Sequence, residues 1–150
     1  MALNLERKVY YLDFSKITDN KYVNYFSNVC KESIDEKIMY EFLDKMQEVC
    51  ERFDTDEVMS PIEITKEIKS RLGLNGPSLY DNIEQIAESD MIDSLSSLEL
   101  YALLWMVSCR NHFTYQEKVY YRMAANKTIG KLLRKLSLQI ASYKMICPKK

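Results

Sequence analysis

Residues 93–107 read Asp-Ser-Leu-Ser-Ser-Leu-Glu-Leu-Tyr-Ala-Leu-Leu-Trp-Met-Val, an apolar run entered from a polar turn. In helical register Leu95, Leu98, Ala102 and Trp105 share one face, while Leu100, Leu103, Leu104 and Val107 fall on others. A helix that is apolar on several faces must be covered on several sides. The longest apolar run, Leu100 to Val107, is far too short to cross a bilayer. The stretch therefore predicts a core helix sheathed by other helices, with the N-terminal helices packing over the region after residue 60. Asp-Ser-Leu stands where a polar turn becomes this helix. Asp93 is the expected cap, the helix is expected to start there, and the Ser94 hydroxyl is expected to reach solvent from its first turn.

The flanking sequence supplies the other helices. Tyr22, Val23, Phe26, Val29 and Cys30 recur at helical spacing over 19–31. Ser33 and Glu36 form a capping-box pattern, opening a helix expected to run to about Phe53. Its stripe is Ile38, Met39, Phe42, Leu43, Met46, Val49, Cys50 and Phe53. Ser60-Pro61-Ile62-Glu63 opens another helix, which carries Ile64, Ile68 and Leu72 on one face and ends at Gly73. Asn75-Gly76-Pro77-Ser78 is a turn, and 79–88 predicts a short helix or an ordered loop. A last helix is expected from Thr128 to Ile140, with Lys131, Arg134 and Lys135 beside its apolar stripe. Residues 8–14 read as a short strand or a first helical turn.

Three glycines and three prolines in 150 residues are few for a sandwich or barrel, so the expected class is all-α, a helical bundle. The expected organisation is an N-terminal helical extension over 1–58 packing on the rest, a bundle over 59–142 and a tail over 143–150. The first 58 residues hold 8 basic and 13 acidic side chains, net −5, and the remainder is net +4. Four scattered cysteines and one histidine predict no metal site and suit buried apolar positions in a reducing compartment. The N-terminus has no long apolar core, so the expected location is the cytoplasm, with no membrane partner. No nucleophile elbow, triad or phosphate loop is present, so the chain is not expected to be an enzyme.

Arg71-Leu72-Gly73-Leu74, Met91-Ile92-Asp93-Ser94-Leu95 with Leu98-Glu99-Leu100, Phe113, and Thr128-Ile129-Gly130 follow one another across residues 60–137. In this order they resemble the acyl carrier protein family, a four-helix bundle. The resemblance implies that Ser94 carries 4′-phosphopantetheine, that Asp93 caps the helix and shapes the loop, and that Leu95 anchors the helix beneath the serine. It further implies an acyl or aminoacyl thioester delivered to partner enzymes, a phosphopantetheinyl transferase as modifying partner, and helix 94–107 as the recognition surface. A helix N-terminus would favour the anionic phosphodiester.

Two other readings use the same residues. Residues 65–89 resemble the helix-turn-helix of winged-helix regulators, but the would-be recognition helix has Asp81, Glu84 and Glu88 and no cation, the wrong sign for nucleic acid. An all-α interaction protein is the third. Compact helical adaptors and viral Bcl-2-like proteins have about this length and a central apolar helix.

Overall fold

The apolar stretch after Asp93 forms an α-helix from Ser97 to Ser108, and all of its residues except Glu99 and Trp105 are buried. The structure, a computed structural model, describes residues 14–50, 61–74, 79–108 and 114–146. Within them the chain is an all-α helical bundle of seven α-helices with no strand. In chain order these are α1 (Asn20–Asn28), α2 (Glu36–Cys50), α3 (Pro61–Leu72), α4 (Leu79–Ala87), α5 (Ser97–Ser108), α6 (Thr114–Ala125) and α7 (Thr128–Ile146). Short 3₁₀ turns lie at Phe14–Lys16, Lys31–Ser33 and Asp90–Ser94. The expectations for residues 8–13, Phe53, Ser60 and 75–78 lie outside the described residues.

The central helix α5 packs against α3, α6 and α7, and one continuous core joins side chains from every helix. Each fully buried Leu or Val stabilises the fold by about 1.5–3 kcal/mol relative to exposure. Two tyrosines tie α2 to this centre. Tyr101 Oη on α5 donates to the Met46 carbonyl at 2.8 Å, and Tyr120 Oη on α6 donates to the Met39 carbonyl at 2.7 Å. Both rings are buried, so these tyrosines serve the core while a carbonyl satisfies each hydroxyl. Phe14 packs on Tyr101 with ring centroids 5.4 Å apart.

The contact between α1 and α7 is made by backbone. A Cβ on Gly130 would fall inside van der Waals contact of the Phe26 carbonyl oxygen and 2.7 Å from its carbon. Only a residue without a side chain lets the two helices approach so closely. Lys127 precedes α7 at φ 70°, and its Nζ donates to the Val29 carbonyl at the end of α1, at 3.1 Å. The ion pairs Lys16–Glu48 and Lys21–Glu41 lie in the first part of the chain, and Arg71–Glu99, Arg122–Glu84 and Lys135–Asp93 in the second. The apolar and hydrogen-bonded contacts above, not these pairs, join the two parts.

Several boundaries differ from expectation. Ser33 does not cap α2; its hydroxyl bonds back to Cys30, and Asp35 Oδ1 instead accepts from Lys37 N at 3.0 Å. Cys30 is exposed rather than buried, because it falls past the last turn of α1. α6 was not expected as a helix, and α7 runs on to Ile146, past the residue where a tail was expected. Gly73 does end α3, at φ +66°, with Gly73 N donating to the Ser70 carbonyl and Leu74 N to the Lys69 carbonyl. That pair of bonds is the Schellman arrangement. Among the described residues no helix is long and apolar enough to cross a membrane.

Candidate functional site

The Asp93-Ser94-Leu95 segment sits at the entrance to α5 but outside it. Asp90–Ser94 is a 3₁₀ turn, opened by Ser89 Oγ accepting from Met91 N at 3.2 Å. Leu95 is extended at φ −94°, ψ 141°, which separates the turn from the α-helix. Helix α5 is capped by the reciprocal pair Ser96 and Glu99. Ser96 Oγ accepts from Glu99 N at 3.2 Å, and Glu99 Oε1 accepts from Ser96 N at 2.9 Å. A capping box needs a carboxylate or amide three residues after the cap. Ser96 has Glu99 there, whereas Asp93 has only Ser96. The expected start of the helix at Asp93 is therefore corrected to Ser97, and Asp93 is not its cap.

The three predicted residues have separate fates. The Ser94 side chain is exposed, and its hydroxyl donates to the Met91 carbonyl at 2.8 Å. Ser94 is the last residue of its turn, so it faces a carbonyl rather than the unpaired N–H groups of a helix start. The helix-terminus support for a phosphodiester is missing at this residue. Asp93 is exposed and accepts from Lys135 Nζ on α7 at 2.9 Å. Leu95 is buried, and its carbonyl accepts from Gln139 Nε2 at 2.8 Å. Gln139 Oε1 in turn accepts from Ser97 Oγ at 2.8 Å. The segment is thus clamped to α7 by Lys135 and Gln139, neither of which local sequence pattern identifies.

Glu99 has a second task. Its carboxylate receives Arg71 from the end of α3 in a two-pronged pair, at 2.6 and 3.2 Å. The bond to Glu99 raises the Arg71 pKa further above its usual value. The expected recognition surface, helix 94–107, is also corrected. The helix that forms there is the core of the molecule, and its neighbours cover it.

On α4, Tyr80, Asn82, Ile83, Ile86 and Ala87 are buried and Asp81 is exposed. Glu84 is held by Arg122 Nε at 3.5 Å and Asn126 Nδ2 at 2.6 Å. A helix that presents Asp81 outward does not suit a phosphate backbone. Among the described residues no group of His, Cys, Asp or Glu could hold a metal ion. His112 lies outside them.

A second candidate site was not foreseen. A groove of about 630 Å³ opens between the Lys31–Ser33 turn and the last turns of α6. Lys31, Ile34, Tyr121, Arg122, Ala125 and Asn126 line it. Compared with protein-family models, curated proteins and solved structures, the chain gives no match in any of the three.

Proposed function

We propose that this chain is an all-α protein–protein interaction module, with a central apolar helix sheathed by amphipathic ones in the manner of helical adaptors and viral Bcl-2-like proteins. One observation carries the reading: α5 is buried along nearly its whole length and has no face left for a partner. Its work is structural, and recognition falls to the helices around it. The reading includes a cytoplasmic setting. The test is affinity purification of the tagged full chain from its native host. A stoichiometric partner, retained by Ser94→Ala, is the expected result. A monodisperse monomer that brings down no partner in defined ratio would overturn the reading.

The carrier function is kept as a second reading on one observation, the solvent exposure of Ser94. In it, 4′-phosphopantetheine is joined to the Ser94 hydroxyl and its thioester is handed to acyl-transferring enzymes. Incubation with coenzyme A and a promiscuous phosphopantetheinyl transferase would then add the prosthetic mass to the wild type and not to Ser94→Ala. An unchanged mass would remove this reading.

A further inference from the structure

We infer that Ser33 is a phosphorylation site, the substrate of an acid-directed serine kinase. The inference goes beyond the interaction-module reading and does not depend on it. Ser33-Ile34-Asp35-Glu36 has the spacing of a capping box, yet the folded chain does not use it as one. Ser33 is exposed, and its hydroxyl holds only the local turn. It accepts from Cys30 N at 3.0 Å, donates to the Cys30 carbonyl at 3.2 Å and lies 3.4 Å from Cys30 Sγ. The turn is three residues long and stands between extended residues, Cys30 at φ −133°, ψ 171° and Ile34 at φ −64°, ψ 129°. A kinase can therefore seat the segment without melting an α-helix.

Among the described serines only Ser33 and Ser96 have a carboxylate three residues on. Ser96 is half-buried and caps α5, and its Glu99 is taken by Arg71 at 2.6 Å. The surroundings of Ser33 differ. Glu32, Asp35 and Glu36 are exposed, and none has a cation partner among the described residues. Glu36 meets only the Tyr121 hydroxyl, at 3.4 Å. The cations near by flank that stretch or are engaged. Lys31 precedes Glu32 and Lys37 follows Glu36. Lys127 Nζ donates to the Val29 carbonyl at 3.1 Å, and Arg122 Nε pairs with Glu84 at 3.5 Å. The residues two and three places after the serine are thus both acidic and uncommitted to a cation. They suit a kinase whose cleft presents Arg or Lys at those two places.

In the reaction the Ser33 oxygen attacks the γ-phosphorus of a magnesium-bound nucleoside triphosphate. The bond from that phosphorus to the bridging oxygen of the β-phosphate breaks, and the nucleoside diphosphate leaves. The hydroxyl proton passes to the carboxylate base of the kinase. The bond to the Cys30 carbonyl goes with that proton, while Cys30 N keeps an oxygen to donate to. A charge of about −1.5 to −2 is then added between Lys31 and Ile34, two residues that line the groove beside α6.

The first measurement is fragmentation mass spectrometry of the full chain purified from its native host, which should place a phosphate on Ser33. In vitro, an acid-directed serine kinase should label the full-length protein at the same residue. Ser33→Thr should keep the label there and Ser33→Ala should lose it. Asp35→Asn combined with Glu36→Gln keeps size and the cap oxygen, and should lower kcat/KM for labelling about tenfold or more. Lys31→Ala should leave the rate unchanged. A native chain without phosphate on Ser33 overturns the inference. So does an equal rate for the neutralised variant, or a loss of rate in Lys31→Ala, which would mark a base-directed kinase. Mapping the phosphate on the wild type keeps the test sound if a variant fails to fold. None of these outcomes touches the partner test above, so the two readings fail separately.

Discussion

Helices α5 and α7 are both rich in leucine, yet they are held in opposite ways. α5 is gripped by side chains on every face, so its place depends on how much apolar surface surrounds it. α7 buries Ile129, Leu132, Leu133 and Leu136 and turns Lys131, Arg134 and Leu138 to solvent. Its backbone comes closest to α1 at Gly130, where main chain meets main chain. The first kind of contact tolerates a change of shape at the cost of a cavity. The second tolerates no added atom.

The first half of that contrast is tested at the centre of α5. Leu103→Ala removes a fully buried side chain at the centre and should cost about 2–5 kcal/mol, read as a lower urea midpoint. Next comes Gly130→Ala. The added methyl meets main-chain atoms of α1, so the cost should reach the upper end of the overpacking range, about 3 kcal/mol. Hydrogen exchange should show α1 losing protection before α5 does. A Gly130→Ala protein as stable as wild type would break the comparison, because α1 and α7 would then not touch through their backbones.

A smaller effect separates the two possible caps of α5. Ser96→Ala removes the hydroxyl that accepts from Glu99 N and should cost about 1 kcal/mol. Asp93→Ala removes only an exposed ion pair with Lys135 and should stay within about 0.5 kcal/mol. Thermal melts of the two variants decide the matter. The reverse order would restore Asp93 as the cap.

What the sequence made legible was what is local and periodic. The apolar crowding of 93–107 announced a sheathed core helix, and Gly73 announced the end of α3. Helix starts were displaced because neighbouring polar residues compete for the same role. Ser33 and Asp35 both resemble caps of α2, and Asp93 and Ser96 both resemble caps of α5. The choice is made by which carboxylate or hydroxyl the folded backbone brings within reach. α6 was missed because its stripe, Val119, Tyr120, Met123 and Ala124, is short and holds no leucine or isoleucine. The clamp of Lys135 and Gln139 and the groove of Ile34 and Ala125 join residues far apart in the chain. No pattern within one segment contains such a pairing.

An effect confined to high pH, and absent at neutrality, concerns the other side of α1, where Tyr22 faces α2. Its phenol is buried and lies beside Glu41, and burial first, then the carboxylate, push its pKa up to about 12 from the ordinary 10. Folding thus favours the neutral phenol. The associated stability is fully present below pH 10, where the unfolded phenol also keeps its proton. It falls away as the pH rises from about 10 through about 12, because the unfolded chain ionises first. Wild type should therefore lose stability across that window more steeply than Tyr22→Phe in denaturant titrations at stepped pH. Absorbance near the phenolate band should show one late-titrating tyrosine that the variant lacks. Parallel losses in the two proteins would mean that burial and Glu41 together do not hold the proton on Tyr22.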